Sequence, residues 1–341
     1  MRISDRQTSR DFLKNLDKAK TAYAETNERI ASGNRFTRIS DDVSAATKAL
    51  RVRVEKSKSE EYLNNVKSVN EQLTTTENAL TSINDILTEA HARVIKALNS
   101  STGESGRMAI ANEIGAMRDE LLQFANTTYN DAYVLGGSSA GTAPFTTNNS
   151  GDLFYNGVNV NDILQDTDGS YFYYAADGVT KNSIPMDGDT YADVGLGITM
   201  TSSNVKSDTA IKTSYSGLEI LGFGKDADGS PKNVFNVLTK LKENISNYSA
   251  EAVDKYDDKL VSFTKDFRGY LTDVGSKTSF LDTIEKRVNT TIDTYQSQIK
   301  RLVGIDDAEE ATNLSMNDYV LKAVLSMGSK TIPVSLMDFL N

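Results

Sequence analysis

Apolar residues recur near both ends of the chain in alternating steps of four and three. Phe12, Leu16, Ala19, Tyr23, Thr26 and Ile30 mark one stripe of a first helix. A longer register follows without a slip: Tyr62, Val66, Val69, Leu73, Thr76, Leu80, Ile83, Leu87, Ala90, Val94 and Ala97. At 1.5 Å per residue this predicts a rod of roughly 50 Å, which requires an equally long partner. The pattern breaks around STGESG (101–106). It resumes at Ile110, Ile114, Met117, Leu121, Phe124 and Thr128 as a returning antiparallel helix.

The same periodicity reappears at Phe235, Leu238, Leu241, Ile245 and Tyr248. It then runs from Leu260 through Phe267, Val274, Leu281, Val288 and Tyr295 to Leu302, weakened only at Lys277, Thr291 and Gln298. The 62–97 and 260–302 stripes match in length, and side-by-side packing is the simplest pairing. A last helix is predicted over 308–327, after the acidic IDDAEEA. The stripes at the two chain ends lie outside the paired rods, so they must pair with each other or with other molecules. Short isolated helices are marginal in water. Both ends are therefore expected to order only on assembly, with Phe12, Leu16, Tyr23, Ile30, Leu336, Phe339 and Leu340 as the candidate assembly stripe.

Between these halves the text changes. Of the 22 glycines, 12 lie in residues 141–233, and Asn and Asp punctuate short runs such as DLFYNGVNV, SYFYYAA and GLGITM. Alternating runs bounded by turn residues predict strands. Proline agrees, since Pro144, Pro185 and Pro231 fall within this region and only Pro333 outside it. The fold class is therefore α+β: a long antiparallel α-helical bundle built from both chain ends, with a mostly β insert. The boundaries read as terminal helices over 1–40 and 303–341, a rod over 41–140 and 234–302, and an insert over 141–233.

Residues 28–53, ERIASGNRFTRISDDVSAATKALRVR, interrupt the heptads. Gly33 supplies the positive-φ residue that commonly follows a helix C-terminus. Ser40, Asp41 and Asp42 can cap the next helix, and acids there suit its dipole. Arg35 and Arg38 are candidates to pair with Asp41 and Asp42, within the chain or across subunits; they are equally readable as solvated linker charge. Gly33, Arg35, Arg38, Ser40, Asp41 and Asp42 thus form a candidate joint between two helical segments.

Charge sharpens this division. The net charge is −10, yet residues 1–60 hold 14 Lys and Arg against 9 Asp and Glu, whereas 141–233 hold 5 against 12 with no Arg. Such an acidic chain is a poor footprint for nucleic acid. No apolar run reaches the ~18 residues of a membrane helix, so membrane insertion is not expected. MRISDRQTSRDF lacks an apolar signal core. Zero cysteines and a single histidine, His91, remove thiol chemistry and every two-His metal motif.

Other candidates for chemistry have structural readings. GSSAG (137–141) fits G-x-S-x-G, but a helix precedes it and the only His lies upstream, so a turn is expected. DTDG (166–169), DGDT (187–190) and DADG (226–229) suggest calcium. An EF-hand needs Glu at its twelfth position, and counting from Asp226 or Asp166 gives Val237 or Asp177. Hairpin turns are the better account, with a weak surface cation site left open. Neither a cofactor nor a catalytic set is expected.

The motifs carry a resemblance. ERIASGNRFTRISDDVSAATKALRVR is similar to the SG-x-R…DD-x-x-A signature of the bacterial flagellin superfamily, carried by Ser32, Gly33, Arg35, Asp41, Asp42 and Ala45. NTTYNDAYVLGG resembles the segment preceding that family's variable insert, and SLMDFLN its closing signature. The run Ala-Ala-Thr-Lys-Ala-Leu-Arg-Val-Arg, Tyr-Val-Leu-Gly-Gly before Pro144-Phe145, and the Asp-Phe-Leu-Asn end resemble junction subunits more than filament subunits. One departure is Val43, where junction subunits commonly carry Pro. The likeness covers about 1–145 and 255–341 and leaves the insert out.

The resemblance implies a non-enzymatic subunit exported through the flagellar type III apparatus. Its self-assembled ring would sit between a hook-side junction protein (hook-associated protein 1 type) and the first flagellins. An export chaperone would bind the C-terminal region, 308–341. The alternatives are a filament flagellin, and a surface coiled-coil adhesin whose ligand site lies in 141–233.

Overall fold

A computed structural model describes residues 2–138, 141–148, 151–167, 169–185, 188–201, 204–206 and 209–331. Seven α-helices carry most of the chain: α1 (Arg2–Ser32), α2 (Val43–Leu98), α3 (Glu104–Ala125), α4 (Gly217–Leu221), α5 (Val234–Ser246), α6 (Ala250–Val303) and α7 (Asp307–Thr331). The chain divides into two compact units, residues 61–288 and residues 1–60 with 289–341. That division falls inside α2 and α6, away from positions 40 and 303, and groups the insert with the four-helix region.

In the 61–288 unit, α2 and α6 run antiparallel. Asn70 donates to Asp282 at 3.0 Å, Arg268 to Asn84 at 3.3 Å, and His91 Nδ1 lies 2.8 Å from an Asp257 oxygen. Val66, Leu73, Leu80, Leu87 and Val94 of α2 are buried, as are Leu260, Phe267, Val274 and Leu281 of α6. The two periodic stripes are therefore core. Thr76 and Thr264 are tolerated in these helices because each hydroxyl donates to the carbonyl four residues back, at 2.9 and 2.7 Å. α3 packs against α5, with the Arg118 guanidinium 5.1 Å from the Phe235 ring centre. His91, next to Ala90 of the α2 stripe, is half-buried and engaged with Asp257.

Twelve short strands are described: β1 (Thr128–Tyr129), β2 (Ala132–Tyr133), β3 (Phe145–Thr147), β4 (Leu153–Tyr155), β5 (Val158–Asn159), β6 (Leu164–Gln165), β7 (Tyr171–Tyr174), β8 (Lys181–Ser183), β9 (Tyr191–Ala192), β10 (Met200–Thr201), β11 (Asn204–Val205) and β12 (Ile211–Lys212). They form small antiparallel sheets, β3-β4-β5 and β6-β7-β8 with three strands each and β1-β2, β9-β12 and β10-β11 with two. Strand structure begins ahead of the expected insert boundary. α3 ends at Ala125, and Asn130 and Asp131, both at positive φ, turn the β1-β2 hairpin.

Phe145, Leu153, Tyr155, Ile163 and Leu218 are buried in the insert core. Gly217 is required there, since a Cβ would lie 2.4 Å from the Phe145 ring. Side-chain bonds tie the insert to the helices: Gln72 donates to the Thr213 carbonyl at 3.1 Å and Lys277 to the Tyr215 hydroxyl at 3.1 Å. The Lys277 that weakens the α6 stripe is thus one of the points where the insert attaches. Asp166 pairs with Lys181, Asp226 with Lys259, and Gly169 and Gly229 adopt positive φ. The Asp-Gly motifs at 166 and 226 are turns with lysine partners, and the described residues contain no group of three acids or histidines able to hold a metal. GSSAG includes two residues outside the described set, and DTDG and DGDT one each. None of the described helices is long and apolar enough to cross a membrane.

In the other unit, α1 and α7 form an antiparallel pair. Arg29 reaches both carboxylate oxygens of Glu310, at 3.1 and 3.3 Å, and also donates to Thr26 Oγ1 at 3.0 Å. Asn317 donates to the same Thr26 oxygen at 2.9 Å. Gly328 sits against the Phe12 ring so closely that a Cβ would be 2.2 Å from it.

Candidate functional site

The joint is built by backbone geometry first. α1 ends at Ser32, and Gly33 takes φ +66° with its N–H on the Ile30 carbonyl at 3.3 Å. Glycine adopts that left-handed conformation without the Cβ penalty other residues meet. No atom lies within 4 Å of where a Cβ would stand, so the constraint at Gly33 is conformational rather than steric.

The chain then crosses to the α6–α7 connection. Asn34 and Gly304 form an antiparallel bridge, and the Arg35 N–H donates to the Val303 carbonyl at 2.8 Å. Gly304 returns its own N–H to the Lys300 carbonyl at 2.8 Å. A Cβ at Gly304 would lie 2.4 Å from that carbonyl oxygen. The two interruptions of helical periodicity are therefore one clasp. Sequence reasoning found its N-terminal half and missed Val303, Gly304 and Asp306. The usable signal was a Gly two residues past the last stripe position, Leu302, followed by an Asp ahead of a helix.

Side chains finish both helix starts. Asp42 is the residue before α2, and its Oδ1 accepts the Ala45 N–H at 2.9 Å. Its Oδ2 pairs with Arg35 at 2.9 Å. Asp306 does the same for α7, accepting from Ala308 and Glu309 at 3.0 and 3.2 Å. Asp41 accepts the Arg38 N–H at 3.3 Å, and the Ser40 hydroxyl donates to Asp41 at 3.3 Å. Of the six joint candidates, Gly33, Arg35 and Asp42 meet in the clasp. Ser40 does not cap the helix. The Arg38 guanidinium has no ion-pair partner among the described residues, and it lines clefts of about 370 and 280 Å³ on either side of the joint.

The terminal stripe lies on α1, where Phe12, Leu16, Tyr23 and Ile30 are half-buried against α7. Leu336, Phe339 and Leu340 fall outside the described residues. Pairing with α1 does not use all the apolar surface of α7. Tyr319 remains 73% exposed and Met327 66%, with Met316, Val320 and Leu325 also open.

Residues 3–140 match the family model for the bacterial flagellin N-terminal helical region. Over 147 residues the chain is 24% identical to flagellar hook-associated protein 3 of Escherichia coli K12, covering 43% of this chain and 46% of that relative. It is 25% identical over 142 residues to a flagellin of Clostridium tyrobutyricum, 41% of this chain and 38% of that one. The matches thus span less than half the length of these curated relatives. A solved flagellar hook-associated protein from Vibrio parahaemolyticus shares the fold at TM-score 0.59 and 19% identity, with 77% of this chain and all of that one covered. The chain thus carries a segment, residues 3–140, similar to the bacterial flagellin N-terminal helical region, and shares its fold with a solved hook-associated protein.

Proposed function

We propose that the chain is a non-enzymatic structural subunit of the bacterial flagellum, forming a ring at the junction between hook and filament. The observation that carries this reading is the apolar face of α7 left open after α1 has paired with it. Large contiguous apolar surface on a soluble chain marks an interaction site. In a ring each subunit would cover its neighbour's face, and the two terminal helices would become fully ordered only there. The hook-side junction protein of the hook-associated protein 1 type and flagellin would flank the ring. A chaperone would cover the same C-terminal region before export through the flagellar type III apparatus. The resemblance of the 28–53 segment and of Tyr-Val-Leu-Gly-Gly to junction subunits supports this over a filament role.

Deleting the gene and viewing cells by electron microscopy tests it. Hooks without filaments, with flagellin shed into the medium, is the expected phenotype; intact filaments would refute the reading. The similarity to a Clostridium flagellin favours a second reading, a filament subunit. Long filaments grown from the purified chain alone would establish that one instead.

A further inference from the structure

In a closed ring each copy meets two neighbours through two unlike faces, and the 61–288 unit carries two faces that fit one another. The first is a groove of about 180 Å³ between α2 and α6. Leu87 and Thr264 are buried at its floor, and His91, Val261, Lys265 and Arg268 line its sides. Val261 is an exposed apolar residue, as is Ile95, one turn beyond His91 on the same side of α2. His91 is engaged by Asp257. Arg268 donates to the neutral Asn84 oxygen at 3.3 Å, and neither Arg268 nor Lys265 has an ion pair among the described residues.

The second face is the outer side of α3. Met108, Asn112, Ala116 and Glu120 are exposed and stand four residues apart, which makes them one ridge of the helix. Glu113 is taken by Arg93 at 3.1 Å, but Glu120 has no ion pair among the described residues. A narrow ridge with an uncommitted carboxylate thus matches a groove with two uncommitted cations.

The two faces also agree in height. The Arg93–Glu113 pair fixes α3 against α2, and the Arg268–Asn84 bond fixes α6 against α2. At 1.5 Å per residue, Glu120 then falls level with Ile86, between the levels of Lys265 and Arg268. Met108 comes within about one turn of Ile95, and Ala116 within about one turn of Val261. The faces point apart, since Arg93, which meets α3, lies about 200° round α2 from His91. Copies in a ring are related by rotation without a shift along the axis, so faces that touch must share a level. Two grooves meeting face to face would instead set Lys265 and Arg268 against like charge. We propose, resting on the ring reading, that the α3 ridge of one copy docks in the α2–α6 groove of the next, with Glu120 between that copy's Lys265 and Arg268.

The chain contains no cysteine, so introduced pairs report this contact without background. Ile95→Cys combined with Met108→Cys is expressed in cells lacking the native gene, and their isolated flagella are oxidised and run on non-reducing gels. A ladder extending beyond dimers is expected, because each copy bonds two neighbours; either cysteine alone should give none. Met108→Cys with Val179→Cys, exposed on the insert, should also give none. In the Ile95–Met108 background, Glu120→Arg or Arg268→Glu should cut the ladder at least threefold, and the two together should restore it. Both side chains are exposed, so the fold is kept, as circular dichroism checks. No ladder, a ladder that stops at dimers, an equal ladder from the Val179 pair, or no recovery in the double charge variant would overturn the proposal. Hooks without filaments in the gene deletion, together with no ladder, would remove this contact and leave the junction reading standing.

Discussion

The backbone N–H of Arg35 donates to the carbonyl oxygen of Val303 at 2.8 Å, tying the N-terminal joint to the last residue of α6. The carbonyls of a helix's last turn have no partner within the helix. Here a residue from the opposite end of the chain supplies one. Arg35 is itself fixed by its ion pair with Asp42, the capping residue of α2. A disturbance on either strand of the clasp therefore reaches the start of α2 and the end of α6 together.

The two clasp glycines should respond differently to alanine. At Gly33 the φ of +66° is the only obstacle, so Gly33→Ala costs about 1 kcal/mol of left-handed strain and Gly33→Asn less. At Gly304 the new Cβ meets the Lys300 carbonyl, and the backbone must move. Gly304→Ala should therefore lower the urea midpoint more than Gly33→Ala, and under the proposed junction role both should reduce motility more than they reduce the exported amount. Equal stability losses would argue against the steric account of Gly304.

Val43→Pro is expected to stabilise the chain by about 0.5–1 kcal/mol, read as a raised urea midpoint. Val43 is the first residue of α2, where a proline's fixed φ is preset and a free N–H is expected in any case. Its side chain is 60% exposed, so little packing is lost. Proline also holds the preceding residue extended, the conformation a capping Asp42 needs. A lowered midpoint would mean that the Val43 N–H or side chain has a role the geometry does not suggest.

What could be read from the sequence was local. The stripes through Leu73, Leu87, Phe267 and Leu281 announced the buried seam because helical period alone decides which face is covered. Gly33 and Asp42 were legible because caps follow rules within one turn of the chain. The clasp was not, because Arg35 and Val303 meet only once both halves fold. The β1-β2 hairpin escaped notice because Asn130-Asp131 follows directly on a helical stripe. Lys277 looked like a flaw in the α6 register; beside its pair with Asp273 one turn back, its ammonium reaches Tyr215, outside that helix.

The Arg29–Glu310 pair should be worth about 1 kcal/mol to the packing of α1 on α7, measured by a double-mutant cycle with alanine at both positions. It is partly screened, since Arg29 keeps 28% of its side-chain surface exposed. Thr26→Val removes the buried oxygen that both Arg29 and Asn317 use, leaving each with one hydrogen bond fewer, and should cost about as much. Amide exchange on the isolated chain tests the related proposal that these helices order fully only on assembly. Fast exchange throughout α1 and α7 beside slow exchange in residues 61–98 is expected; uniform protection would count against it.

The turn between β7 and β8 should carry an acid-sensitive reporter. The Asp177 carboxylate accepts from the Thr180 hydroxyl and from the Thr180 and Val179 N–H groups at 2.9 and 3.0 Å. These bonds, the Thr180 hydroxyl foremost, pull its pKa from 3.8 down to about 2. A folded pKa below the unfolded one means the contribution is present above pH 3.8 and is lost as pH falls towards 2. The Val179 and Thr180 amide resonances should titrate with a midpoint near 2, while amides distant from other acids stay still. In Asp177→Asn the amide oxygen still accepts a bond but cannot titrate, so that acid limb should vanish at neutral-pH stability close to the parent. A midpoint near 4 in the parent would show that the turn does not hold the carboxylate in the folded chain, and with it the β7–β8 register.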